Sequence, residues 1–216
     1  EIPAPIRGRA MGLMGAFAAL GAAVPDAMLA PLESLEIGWR GLFLIGAFPF
    51  ILLPLYWARL PETRAFQLRR GQDPISLRFD LSEEREFLSQ LIAPPHRARL
   101  AGITSLWVAI SFWSGTALYF FNIYVYGERG WDSSNLVLLP FGTIPLGILG
   151  YAFSGYLMDR LGRRSAATLY LIAAFGSTVA CYQATDNYII YGSYFLLIGL
   201  GGIWTIATTW TAELFP

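Results

Sequence analysis

The 216 residues are 55% hydrophobic, 15% aromatic and only 14% charged, with a mean hydropathy of +0.49, too little polar surface for a soluble domain of this size, so lipid must cover part of it. Fifteen basic residues balance fifteen acidic ones, which excludes the cationic footprint of a nucleic-acid partner. The single cysteine, Cys181, excludes an internal disulfide and a cysteine-built metal site, and no cofactor is expected.

A helix needs about 20 mostly apolar residues to cross the bilayer core, and six segments meet that length. The first, 10–31, follows Gly8 and contains Gly12 and Ala16, a row of small residues spaced for close packing on a neighbour. It also carries Asp26, about 24 Å along the helix at 1.5 Å per residue. An intramembrane carboxylate is a functional hypothesis by default, here a possible proton site. The other reading of Pro25 and Asp26 is a broken helix end that reaches outside water. After the second segment, 40–58, a polar stretch from 59 to 99 contains DLSEEREFLSQL at 80–91. Asp80 and Glu83 are spaced as a capping box, so this stretch reads as a short amphipathic surface helix ended by Pro94 and Pro95. His96 has no companions for a metal site.

The third segment, 100–126, gathers Thr104, Trp107, Ser111, Ser114 and Asn122 within an arc of about 80° at helical spacing. In the fourth, 134–158, Pro140 and Pro145 with Gly142, Gly147 and Gly150 predict a bent or locally unwound helix. The fifth is 166–184. The sixth, 188–211, places Ser193, Trp204, Thr208 and Thr211 in an arc of about 60°. Hydroxyl, amide and indole groups in such stripes can orient a small solute. The plainer reading is that the hydroxyls bond their own backbone and the tryptophans sit at the interface.

Arg7 and Arg9, eight arginines between 59 and 99, and Arg160, Arg163 and Arg164 fall on one side of this six-span plan, with Arg40 and Arg129 opposite. The positive-inside rule therefore puts both ends, the long loop and the 159–165 loop in the cytoplasm. All the basic residues are arginine, a usage that hints at a bacterial source and hence a bacterial inner membrane. Residue 1 is Glu and the chain closes on TAELFP directly after an apolar run, which predicts a piece of a longer protein.

The turn between the fourth and fifth segments reads GYLMDRLGRR at 155–164. Gly155 permits close helix approach, Asp159 can accept from helical N–H groups, Gly162 permits a tight turn, and Arg160, Arg163 and Arg164 anchor the loop. This spacing resembles the cytoplasmic loop motif of the major facilitator superfamily, filled without a gap. EIPAPIRG at the start and AELFP at the end are similar to that family's repeated Glu and Arg-Gly motif. Glu1 and Arg7 lie one residue closer than the family's spacing, and the closing copy stops before its Arg. LPETR at 60–64 resembles the sugar-porter branch, but 100–126 lacks that branch's paired glutamines.

The resemblance covers the whole chain and implies an all-α membrane protein whose six transmembrane helices are the fifth to tenth of twelve. Residues 1–58 would be the last two helices of the N-terminal half, 59–99 the cytoplasmic central loop, and 100–216 the first four helices of the C-terminal half. It implies alternating-access transport of a small metabolite, a sugar or organic acid, coupled to protons in the intact protein. The family's cavity is lined by helices that here include 100–126 and 188–211, so Asn122, Trp204, Trp107, Ser111 and Thr208 become substrate-side candidates. The 155–164 motif becomes a conformational gate, with Asp159 expected against residues 8–12 and Arg7 or Arg9 adding charge. The alternative is a non-transporting receptor or scaffold with the same fold. An enzyme would need a cluster of His, Cys or acidic groups at membrane depth, and Asp26 stands alone there.

Overall fold

A computed structural model describes residue 3 and residues 6–34, 40–62, 67, 89, 92–136 and 138–214. Among the described residues the regular structure is helical throughout. Within the described residues five stretches are long and apolar enough to cross a membrane: Arg40–Arg59, His96–Gly127, Leu139–Leu161, Arg163–Gln183 and Asn187–Leu214. With helix α1, Arg7–Ser34, they account for the six expected segments.

The chain divides into two compact units, residues 27–97 and residues 1–26 with 98–216. In the first of these, Arg40–Arg59 is built from α2, Arg40–Ala47, a 3-10 turn, Phe48–Leu52, and α3, Leu53–Arg59. Pro49 and Pro54 each stand at the start of a new piece, where the missing N–H interrupts the ladder of the piece before it. The expected surface helix at 80–91 lies outside the described residues, apart from Ser89. Pro94 and Pro95 open the next helix, since the first turn has no use for their missing N–H.

The larger unit holds most of α4, Pro94–Ser114, a π-helical segment, Gly115–Tyr119, α5, Phe121–Gly127, and the short α6, Ser133–Leu136. It continues with α7, Leu139–Leu161, α8, Arg163–Gln183, α9, Asn187–Leu200, and α10, Ile203–Leu214. Helices α7, α8 and α9 pack on one another, and α10 packs on α7 and α8. The seams are made of small residues: a methyl on Gly202 would lie 2.8 Å from the Gly150 carbonyl oxygen, and one on Gly199 2.9 Å from that of Leu146. Such seams are how helices associate where lipid removes the usual hydrophobic drive. Two cores result, one around Ile110, Met158, Tyr170 and Ile206, the other around Phe121, Val125, Trp131 and Leu197. Phe112, Phe141, Ile172 and Phe175 stand exposed instead, a surface suited to lipid and not to water.

Three expectations need correction. The fourth segment starts at Leu139, not 134, because Pro140 occupies its first turn, and it then runs unbroken through Pro145. No local unwinding accompanies Pro145, although it lies inside the helix and leaves the Phe141 carbonyl without its intrahelical donor. Helix α1 continues past Pro25 and Asp26 to Ser34, so no helix break marks Asp26. Regularity fails elsewhere: the π segment inserts one residue before Asn122, and a turn at Gly201 and Gly202 separates α9 from α10.

Candidate functional site

The α7–α8 connection is a single residue. Gly162 has φ 82° and ψ 161°, and a Cβ built on it would meet nothing within 4 Å. Its requirement for glycine is therefore conformational and not steric. This turn fixes Asp159, in the last turn of α7, and Arg163, first in α8, at one end of the bundle.

Asp159 faces the first turn of α1. Its Oδ1 accepts from the N–H of Gly8 and its Oδ2 from the N–H of Arg9, both at 2.9 Å. Those N–H groups have no partner within their own helix, and the helix dipole favours a carboxylate there. The Asp159 side chain is 6% exposed, with Arg9 Nε at 3.4 Å and Arg163 Nη1 at 4.0 Å. The approach is possible because the helices touch through backbone. A methyl on Gly155 would stand 2.9 Å from Gly12 Cα, and one on Gly12 would stand 2.7 Å from Gly155 Cα.

Arg163 clamps Glu213, near the end of α10, with Nε to Oε2 and Nη2 to Oε1 at 2.8 Å each, and its Nη1 donates to the Met158 carbonyl at 2.9 Å. Arg7 lies 3.6 Å from the same carboxylate. Two carboxylates and three arginines thus join the start of α1, the α7–α8 turn and the end of α10. Arg160 and Arg164 of the motif stand outside this cluster: Arg160 donates to the Tyr156 hydroxyl and lies over its ring, and Arg164 is exposed. Glu213 was not singled out in the sequence, although it is the glutamate of the closing AELFP and supplied the available signal.

The two polar stripes divide. Trp107 and Trp204 meet edge to face at 5.4 Å, and Trp107 Nε1 donates to Thr211 Oγ1 at 3.0 Å. Thr211 is two residues from Glu213, so this contact sits at the same end as the charge cluster. Ser114 is buried and donates to the Ser111 carbonyl at 3.2 Å, while Thr104, Ser111 and Asn122 are exposed. The residue inserted by the π segment turns Asn122 back by about 100°, from beside Thr104 to beyond Ser114. Thr208 donates to the carbonyls of Trp204 and Thr205 at 3.0 Å, and buried Ser193 to those of Ile189 and Ile190, the self-bonding habit of hydroxyls in membrane helices. The Asp26 side chain lies outside the described part of the structure. A contact not expected from the sequence ties α4 to α8, where Trp113 Nε1 donates to Thr178 Oγ1 at 3.0 Å.

A family model described as Major Facilitator Superfamily matches residues 2–216. The chain is similar to the niacin transporter NiaP of Acinetobacter baylyi, 26% identical over 251 residues, with 100% of this chain and 53% of that protein covered. Two myo-inositol transporters of Cryptococcus neoformans, 3A and 3C, are 36% and 33% identical over 69 and 70 residues, in each case 32% of this chain and 12% of theirs. The chain spans about half the length of the niacin transporter it matches. No solved structure matches.

Proposed function

The chain belongs to the Major Facilitator Superfamily, and on that basis we propose that the intact protein moves a small metabolite across a bacterial inner membrane by alternating access, with the arginine-rich helix ends in the cytoplasm. The observation that carries this reading is the pairing of Asp159 with the N–H groups of Gly8 and Arg9. It is a reversible tie between helices, closed in this conformation, at the end where the α7–α8 motif stands.

In this account the cluster of Asp159, Arg163, Glu213, Arg7 and Arg9 closes the cytoplasmic side when the transporter faces outward and separates when it faces inward, biasing a two-state equilibrium without touching solute. Gly155 and Gly162 set its geometry. The Trp107–Thr211 bond, at the same end, joins α4 to α10 and would act with it. Trp107, Trp204, Ser111, Thr208 and Asn122 remain the solute-side candidates, with aromatic edges for packing and an amide for hydrogen bonding. Asp26 is the candidate proton carrier. The relatives' names supply two probes, an aromatic carboxylate and a polyol, and the match along the whole chain puts nicotinate first.

The test is uptake of labelled nicotinate and myo-inositol by the intact protein in vesicles, with and without an inward proton gradient. Saturable uptake that rises with the gradient supports the reading. Binding of a solute without uptake of any favours the receptor alternative.

A further inference from the structure

Helices α7, α8 and α9 leave a groove of 490 Å³ between them, walled by Leu146, Leu149, Phe153, Leu157, Leu169 and Leu196. Its one phenol, Tyr170, is spent, donating to the Gly150 carbonyl at 2.6 Å, so the slot presents hydrocarbon. From Leu146 to Leu157 it follows about 16 Å of helix at 1.5 Å per residue, close to half of a hydrocarbon core of roughly 30 Å. The groove therefore has the depth of one leaflet. At its motif end the same face of α7 continues through Tyr156, whose ring stacks on Phe153 at 6.2 Å, to Arg160, whose guanidinium lies 5.6 Å from the centre of the Tyr156 ring. Arg160 is exposed and takes no part in the carboxylate cluster that occupies Arg7, Arg9 and Arg163.

We propose that this groove binds a phospholipid of the leaflet on the motif side, one acyl chain lying between α7, α8 and α9 and the phosphate held by Arg160, with an anionic headgroup preferred. A helix is the poorer occupant. Helices seat on one another through small residues, and here Gly150 and Gly199 already face each other across the α7–α9 seam, leaving a rim of leucine and phenylalanine around a thin slot. The charge matches as well, because Arg160 gives the mouth a positive field in which a negative headgroup gains over a zwitterionic one.

The test uses the intact protein in nanodiscs and reads lipid binding alone, so its result is independent of whether any solute is transported. With Leu149→Cys and a lipid-soluble maleimide, the groove labels in phosphatidylcholine, while buried Cys181 gives little background. Phosphatidylglycerol should slow that labelling about fivefold, the factor one arginine near a membrane surface supplies, and glycerol phosphate without acyl chains should not. Arg160→Gln should abolish the difference between the two lipids. Native mass spectrometry should show one retained phosphatidylglycerol in the wild type and none in Ala173→Trp, which fills the slot. Equal labelling in both lipids, protection by glycerol phosphate alone, or a Leu149→Cys thiol shielded from reagent in every lipid by a covering helix would each overturn the proposal. The labelling arms keep the wild-type groove wall, so they decide the matter even if Ala173→Trp does not fold.

Discussion

Replacing Asp159 with Asn keeps the side chain's size and removes its charge. The carboxylate accepts from two N–H groups at 2.9 Å through its two oxygens. An amide offers one oxygen, so either Gly8 or Arg9 loses its acceptor and faces an NH2 group instead. Losing one hydrogen bond to a charged acceptor and weakening the other costs about 2–3 kcal/mol, and losing the charge at the start of α1 costs roughly 0.3–1 more. Arg9 adds little to this, because its side chain is 63% exposed and its ion pair is screened. The contact is thus weakened by about 2–4 kcal/mol, a factor of about 30 to 1,000. Amide hydrogen exchange reads it directly, since in the first turn these N–H groups have no acceptor within α1, and among the described residues Asp159 is their acceptor. Exchange at Gly8 and Arg9 should accelerate by that factor in the intact Asp159→Asn protein, while amides in the middle of α8 are unchanged. Unaltered exchange at Gly8 and Arg9 would refute the reasoning.

Gly155→Ala places a methyl 2.9 Å from Gly12 Cα, so α1 and α7 must separate. It should destabilise the protein by about 1–3 kcal/mol, read as a lower thermal midpoint, whereas Gly176→Ala, with open space around it, should match or exceed wild type. Gly162→Ala meets no neighbour, yet it should cost about 1–3 kcal/mol because its backbone conformation is one that only glycine adopts readily. Trp107→Phe keeps an aromatic ring against Trp204 but removes the donor to Thr211. On the proposed account it lowers the transport rate by favouring the inward-open state, with a smaller change in solute affinity, and a pure affinity loss would instead place Trp107 at the solute.

The parts of the fold legible in the sequence were those governed by local chemistry. Six apolar runs of spanning length and the glycine spacing of 155–164 follow from what lipid and tight turns demand of residue types. The position of Asp159 could be anticipated because a helix start attracts a carboxylate wherever a neighbour comes close enough. What stayed hidden depended on tertiary contacts. The clamp between Arg163 and Glu213 joins residues fifty positions apart, and the glutamate carried only a truncated motif. The stripe containing Asn122 assumed an unbroken 100° step, and no residue type announces the π segment that interrupts it. Pro140 falls inside the segment drawn from the apolar pattern, which starts five residues before the helix does, whereas it occupies the helix's first turn.

The most direct test of the gating account is a distance measurement across the tie between α1 and α7. Spin labels at Ala10 and Leu161, in the intact protein reconstituted in lipid, would be followed by pulsed electron–electron resonance. The account predicts two populations, a short distance matching the closed contact and a longer one, with Asp159→Asn moving the balance toward the longer. A single short distance, unchanged by Asp159→Asn in a protein that still transports, would contradict it.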